Sequence, residues 1–186
     1  MAQNLFQQLE IEAFRAGITP RTKQSIEWFR NKARQLGKTS IANVMDEPEL
    51  EIETKADTTG PLGNMYMFQY DPKYRMTLPY YDAFPLVIIT GARKGGFIGM
   101  NLHYLPPVLR AKLLDSILGN TASVGLPRKY VEPTIHRYLN NHVRSRFAKV
   151  QKPEWEIATF LPTAQWRKAP ASSVYRDSRK KVKALT

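Results

Sequence analysis

The sequence predicts an α+β fold, in which a small antiparallel β-sheet or barrel is packed with helices and preceded by an N-terminal helical pair. Short apolar runs between residues 65 and 104 are separated by turn residues, which is typical of antiparallel strands. Apolar residues recur at helical spacing on both sides of this region. The chain has 186 residues, of which 42% are hydrophobic, so it is long enough to bury a sizeable core without disulfide bonds.

Two helices are predicted within residues 1–45, which we interpret as an N-terminal helical arm. The first spans residues 4–16 and ends at Gly17. The second spans residues 20–36 and begins with a proline in its first turn. Trp28 lies off the apolar stripe of the second helix, where it either packs on the core or meets a partner.

Residues 46–61 are acidic and contain helix-breaking residues, which predicts a linker between the arm and the core. Six carboxylates are opposed by Lys55 alone, and Pro48 argues against a long helix. The spacing of Glu51, Glu53 and Lys55 superficially resembles that of a metal-dependent nuclease. A linker does not hold metal ligands rigidly, so we do not favour this interpretation.

Residues 62–170 are predicted to form the α+β core. Gly99 interrupts a strand pattern, which predicts a bulge or a close approach of another chain segment. The apolar run 156–161 is expected to supply a fourth strand. The other expected strands lie at residues 65–70, 85–90 and 97–104, and residues 93–96 are expected to form the hairpin turn between the last two.

Two more helices are predicted within the core. Residues 108–118 have a broad apolar face and are followed by Gly119. Residues 130–150 also show apolar residues at helical spacing, with Pro133 tolerated in the first turn. The second pattern predicts one long helix with a basic side.

Positive charge is concentrated in the last third of the chain, and residues 171–186 read as a basic C-terminal tail. The whole chain has 28 Lys and Arg against 16 Asp and Glu, a net charge of +12. Residues 126–186 hold 14 of these bases and 4 of these acids, so they carry +10. A one-sided positive field favours a nucleic acid, an anionic membrane or an acidic protein surface as the partner.

Binding of nucleic acid through phosphate contacts is therefore predicted for the basic residues of this region. Trp166 and Tyr175 lie between basic residues, where they either stack on unpaired bases or pack on the core. The predicted nucleic-acid-binding residues are Arg128, Lys129, Arg137, Arg144, Arg146, Lys149, Arg179, Lys180, Lys181 and Lys183.

The sequence offers little catalytic chemistry, and we predict no enzyme activity, cofactor or metal. The absence of cysteine excludes thiol nucleophiles and cysteine-based metal sites. His136 and His142 are six residues apart and do not share a helical face, whereas His103 is expected to be a buried structural histidine. The glycines of residues 91–96 lie between two predicted strands, so they indicate a hairpin and not a phosphate loop.

Several long and unusual phrases carry a family resemblance. They are residues 65–73 (MYMFQYDPK), 78–87 (LPYYDAFPLV) and 96–107 (GFIGMNLHYLPP), with shorter ones at 15–19, 28–30, 144–147 and 160–162. These phrases resemble a virion protein of large contractile-tailed bacteriophages, the DNA end protector or head-completion family. The resemblance implies a particle component that acts after DNA packaging, with no catalytic residue and no cofactor.

The leading hypothesis is a non-enzymatic virion structural protein of the head-completion or neck region. It would bind packaged double-stranded DNA ends and neighbouring portal, neck or tail subunits, and no membrane. The expected location is the virion, and the host cytoplasm during assembly. The alternative is a tail or baseplate subunit that makes only protein contacts, since helical arms and an acidic linker suit interlocking subunits.

Overall fold

The fold is α+β, as predicted, and it is built around one open antiparallel sheet. A computed structural model describes residues 11–18, 24, 28, 51–53, 62–119 and 125–186. Six strands form the sheet in the order β1-β7-β2-β4-β5-β6, and β3 pairs separately with β8. The strands are β1 (Glu51–Glu53), β2 (Met65–Met67), β3 (Tyr81–Asp82), β4 (Leu86–Arg93), β5 (Gly96–Asn101), β6 (Ile135–Leu139), β7 (Phe147–Val150) and β8 (Trp166–Arg167).

Helices cover one face of the sheet and connect its strands. The α-helices of the core are α1 (Pro107–Gly119), α2 (Arg128–Val131), α3 (Trp155–Phe160) and α4 (Ala171–Ala184). Short 3₁₀ turns lie at Leu102–Tyr104, Glu132–Thr134, Asn140–His142 and Lys152–Glu154. The helix predicted over 108–118 is confirmed as α1.

The two faces of the sheet bury different side chains. Met65 and Met67 of β2 point into the cluster beneath α1 and α3, while Tyr66 points to the opposite face. This alternation follows from the period of two of an extended strand. The opposite face is an aromatic cluster, in which Phe68 packs edge-on against Phe97 at a centroid distance of 5.8 Å.

The hairpin between β4 and β5 forms as the sequence predicts. Gly95 has a φ of 73°, the left-handed backbone conformation that glycine adopts without a Cβ penalty. Gly99 is a point of close approach, because a Cβ built on it would lie 2.1 Å from Cγ1 of Val87. Gly96 likewise admits the neighbouring strand, since its Cβ would lie 1.9 Å from the carbonyl oxygen of Tyr138.

The long helix predicted over residues 130–150 is wrong. The segment instead contains the short helix α2 and the strands β6 and β7. β6 pairs with β5, whose glycines leave space for it, and β7 pairs with β2. Pairing with these distant strands outweighs the helical spacing of the apolar residues.

The fourth strand predicted at residues 156–161 is also wrong. These residues lie in and directly after α3, which follows a 3₁₀ turn with a capping box formed by Gln151 and Glu154. Indole Nε1 of Trp155 donates to the carbonyl of Val150 at 2.9 Å and fixes the start of the helix. A six-residue apolar run does not distinguish a buried strand from a buried helix.

The predictions for residues 1–61 fall only partly on described residues. Residues 11–15 are helical, and Gly17 follows with a φ of 68°, as expected for a helix stop. Trp28 packs against the main core cluster. The rest of the predicted helical pair, and most of the predicted linker, lie outside the described residues. Within that linker, residues 51–53 form β1 and pair with β7.

Candidate nucleic-acid interface

A tyrosine-lined cavity of about 550 Å³ lies where the 70–81 segment, β6 and α4 meet. This site, which we call the tyrosine cavity, joins residues that are far apart in the sequence. Three cations line it, namely Lys73, Arg137 and Lys181. Its tyrosines are Tyr70, Tyr74, Tyr80, Tyr81, Tyr104 and Tyr138.

Ring contacts and α4 hold the walls of the cavity. The ring of Tyr104 lies 3.9 Å from that of His136 and packs edge-on against Trp166 at 4.9 Å. Burial raises the pKa of the Tyr80 hydroxyl, and the charge of Asp177 and its hydrogen bond to this hydroxyl raise it further. The Asp177 bond ties the aromatic wall to α4, so the helix is part of the site and not a detached tail.

The floor of the cavity rests on a buried carboxylate, Asp82. Its Oδ2 accepts from His103 Nδ1 at 2.6 Å and from Asn101 Nδ2 at 3.3 Å. Its Oδ1 accepts the backbone amides of Phe84 and Gln165, each at 3.0 Å. Burial alone would raise the pKa of Asp82, but His103 and the two amides hold it below its usual value.

His103 is the buried structural histidine that the sequence predicts. Burial lowers the pKa of the His103 ring, and this opposes the effect of Asp82. Thr163 Oγ1 lies 3.3 Å from Nε2 on its other side. The order Asp82–His103–Thr163 resembles a hydrolase triad, but Thr163 is only 1% exposed and His103 is fully buried. A substrate cannot reach this hydroxyl, so the chain of hydrogen bonds is a brace for the cavity floor.

His136 contributes an unsatisfied nitrogen to the cavity wall. Burial and the charge of Lys181 lower the pKa of His136 to about 4. A hydrogen bond between its ring and the backbone of Pro133 favours the charged form but is outweighed. Nε2 is buried and has no hydrogen-bond partner among the described residues. The neutral ring therefore presents a polar atom that the described part of the chain does not satisfy.

A second, shallower hollow of about 290 Å³ lies beside the tyrosine cavity and shares Tyr70 and Tyr81 with it. Arg144 and Arg167 line this hollow. Arg144 is half-exposed and lies 3.6 Å from the carboxylate of Asp71, which is a weak surface pair. We call these two hollows together the groove; they share two tyrosines, and both are lined by cations.

The structure unites some of the predicted binding residues and separates others. Arg137, Lys181 and Arg144 line the groove, and Arg137 also donates to the carbonyl of Lys94 at 3.1 Å. Arg146 and Lys149 lie before and within β7, at the other side of the sheet order from β6. The prediction that one helix displays all these cations is therefore wrong, although their role in binding stays a prediction.

The remaining predicted cations lie on α2 and α4, which are in contact. Arg128 pairs with Glu132 at 3.0 Å, and the Lys129 ammonium lies 5.3 Å from the Tyr130 ring centroid. The predicted basic tail is instead the ordered helix α4, anchored by the fully buried Val174. Its exposed basic residues are Arg176, Arg179, Lys180, Lys181 and Lys183.

Three cations were not predicted from the sequence: Arg167, which lines the second hollow, Lys73 and Arg110. Lys73 lies in the turn after β2, away from the basic last third, so composition gave no signal for it. Arg110 of α1 is 3% exposed and donates to the carbonyls of Leu105, Thr159 and His103. The Tyr175 hydroxyl accepts a fourth bond from Arg110 at 2.7 Å, so this ring serves the core. Trp166 also packs within the protein, against Tyr80 and Tyr104.

Comparison with known families places the chain among bacteriophage proteins. Residues 4–132 match the family model of the phage T4 terminal DNA protecting protein. Because this match spans more than half of the chain, the chain belongs to that family, and the resemblance seen in the sequence is confirmed. No curated protein and no solved structure matches it. None of the helices in the described ranges has the length and apolar character needed to cross a bilayer.

Proposed function

We propose that the protein is a non-enzymatic virion component that binds the ends of packaged double-stranded DNA. The observation that carries this proposal is the aromatic and basic groove, in a chain of a terminal-DNA-protecting family. Cations at the groove and on α4 suit phosphate oxygens, which are present at every nucleotide. Aromatic rings suit bases that are exposed only where stacking is interrupted.

Protection would follow from occupancy of the end. An exonuclease must reach the terminal phosphodiester, and a bound protein excludes it without doing chemistry. The positive field of residues 126–186, with its net charge of +10, attracts DNA over several ångströms and increases the association rate. Contacts to phosphates carry no sequence information, so we expect binding to ends of any sequence.

We further propose that the protein acts in the head-completion or neck region, in contact with portal, neck or tail subunits. A protein that holds packaged DNA ends must sit where the DNA meets the particle wall. The acidic segment at 46–61 offers charge of the opposite sign to the C-terminal third, and this suits contacts with other subunits. The corresponding locations are the virion and, during assembly, the host cytoplasm.

The test compares a short blunt duplex with a duplex of the same length closed at both ends by hairpin loops. Affinity is measured over a range of salt concentrations, and both DNAs are also challenged with an exonuclease that needs a free end. We expect tighter binding to the open duplex and protection from digestion. A log–log salt slope of about 0.9 for each phosphate contacted gives the number of cations engaged.

Two results would overturn the proposal. Equal affinity for open and closed duplexes would leave a general attraction to phosphates. A lack of DNA binding even at low salt, with a salt-resistant oligomer in light scattering, would support the alternative of a tail or baseplate subunit with protein contacts only.

A further inference from the structure

We propose that the tyrosine cavity binds the terminal nucleotide of the DNA end, unpaired from the opposite strand. This inference rests on the proposed function and adds to it the part of DNA that is recognised and the residues that recognise it. The remaining duplex would lie along the cations outside the cavity. The end would thus be identified by its frayed nucleotide and not by its sequence.

The size of the cavity suits one nucleotide. Its volume of about 550 Å³ falls in the range of sites for single small ligands. A duplex cannot enter such a space, whereas a base with its sugar and phosphate can. Extruding a terminal nucleotide breaks stacking on one side only, and extruding an internal one breaks it on both sides, so ends enter at the lower cost.

The walls offer faces on which a base can stack. Tyr74 lines the cavity and is 62% exposed, and the ring of Tyr104 is held by contacts with His136 and Trp166. Every base has a π-face, so stacking on tyrosine tolerates all four bases. This matches a protein that must hold ends of any sequence.

The charges at the rim suit the phosphate of the same nucleotide. Lys73, Arg137 and Lys181 come from the turn after β2, from β6 and from α4. Among these three side chains, only that of Arg137 donates a hydrogen bond to another described residue, and its acceptor is a backbone carbonyl. Cations that are not neutralised by carboxylates remain available for phosphate oxygens.

His136 supplies a polar contact that the protein leaves unmade. Its Nε2 is buried in the wall without a partner among the described residues, which is unfavourable in the empty site. A hydroxyl or amino group of a nucleotide would satisfy this nitrogen when the neutral ring acts as acceptor. A phosphate oxygen would not, because it has no hydrogen to donate. The wall therefore suits the sugar or base, and the rim suits the phosphate.

The first experiment titrates the full chain with a deoxynucleoside 5′-monophosphate and follows binding by NMR shifts or calorimetry. Lys181→Gln removes a cation that lines the cavity, and Lys112→Gln is the matched control, since both lysines are exposed on helices and only Lys181 lines the cavity. We expect Lys181→Gln to weaken binding by about tenfold and Lys112→Gln to change it little.

The second experiment uses DNA. The affinity for a duplex with one unpaired terminal nucleotide is divided by the affinity for a hairpin-closed duplex, which gives an end preference. Tyr74→Ala is expected to reduce this preference by about fivefold or more through lost stacking. Met76→Ala is the control, because Met76 is 82% exposed and does not line the cavity.

The outcomes separate this inference from the function on which it rests. If the wild-type protein prefers open ends and Tyr74→Ala and Lys181→Gln both retain that preference, the cavity is not the end site, and end binding stands. If the wild-type protein shows no preference for open ends, both proposals fail. Mononucleotide binding without an end preference would make the cavity a free-nucleotide site and would also overturn the inference.

Discussion

Acidification is expected to destabilise the protein through His136, and its effect can be worked out from the structure. Burial against Tyr104 and the charge of Lys181 hold the pKa of His136 at about 4, below the ordinary value of 6.5. As the pH falls below about 6.5, the unfolded chain binds a proton at this residue and the folded chain does not. The stability that the neutral ring provides is therefore complete above about pH 6.5 and is lost as the pH falls toward the folded pKa.

The size of the effect follows from the two pKa values. One pKa unit is worth about 1.36 kcal/mol, so the full gap between 6.5 and about 4 is worth about 3 kcal/mol. Between about pH 7.5 and about pH 4.5, linkage gives a loss of about 2.5 kcal/mol from this residue. That loss is a large part of the ordinary stability of a domain, about 5–15 kcal/mol.

Urea unfolding of the wild-type protein and of His136→Asn at both pH values measures this term. The asparagine does not titrate and retains a side-chain NH group near the Pro133 carbonyl. Its baseline stability falls because the stack with Tyr104 is lost, but its stability should depend less on pH by about 2.5 kcal/mol. His103 also has a lowered pKa, and its contribution is common to both proteins and cancels. An equal pH dependence in the two proteins, or an NMR pKa of His136 near 6.5, would refute the reasoning.

Three further substitutions test the packing that supports the site, each by urea unfolding with circular dichroism. Asp82→Asn places an NH₂ group where the carboxylate accepts from His103 and Asn101, so buried donors are left unpaired and the free energy of unfolding should fall by about 3 kcal/mol. A loss below about 1 kcal/mol would contradict the role of Asp82 as the shared acceptor of these bonds. Gly96→Ala forces a Cβ against the Tyr138 carbonyl and should destabilise the protein by about 3 kcal/mol or more, whereas the control Gly91→Ala, with nothing within 4 Å of its Cβ, should destabilise it by under about 1 kcal/mol. Similar values for the two variants would show that β6 does not pack on Gly96. Arg110→Met removes four hydrogen bonds that join α1, α3, α4 and the 3₁₀ turn before α1, and we expect a loss of about 3 kcal/mol from the unpaired acceptors, while an unchanged midpoint would show that water replaces the guanidinium.

Local sequence signals were enough for the elements that depend on neighbours along the chain. The β4–β5 hairpin follows from an apolar β-branched run and a turn that ends in Gly95 and Gly96. Helix α1 follows from its apolar spacing and its stop at Gly119. The close approach of a neighbouring strand to Gly99 was also predictable, because a glycine inside a strand pattern indicates a position where another part of the chain occupies the space of a side chain.

Elements that depend on distant partners were not predictable in this way. Residues 130–150 have apolar residues at helical spacing, but the open edges of β5 and of β2 recruit them as β6 and β7. The sequence does not show that Gly96 leaves space for Tyr138, because the two residues are far apart along the chain. Pairing of this kind is set by the tertiary structure and overrides local preference.

The sequence indicated the chemical class of the partner but not which residues the fold brings together to form the candidate site. Charge asymmetry indicated a polyanion as partner, and Arg137, Arg144 and Lys181 do line the groove. For Trp166 and Tyr175 the sequence left stacking on bases and packing on the core both open, and the structure shows that they pack within the protein. The tyrosines that line the cavity come from three separate segments, and only folding brings them together.

Recognition of DNA ends is tested by comparing the affinities of the protein for DNA with and without free ends. The wild-type affinities for an open blunt duplex and for the same duplex closed by hairpins are compared at a salt concentration where general phosphate attraction is weak. We expect retained binding and exonuclease protection for the open duplex and little binding to the closed one. Equal binding to both DNAs at every salt concentration would contradict it.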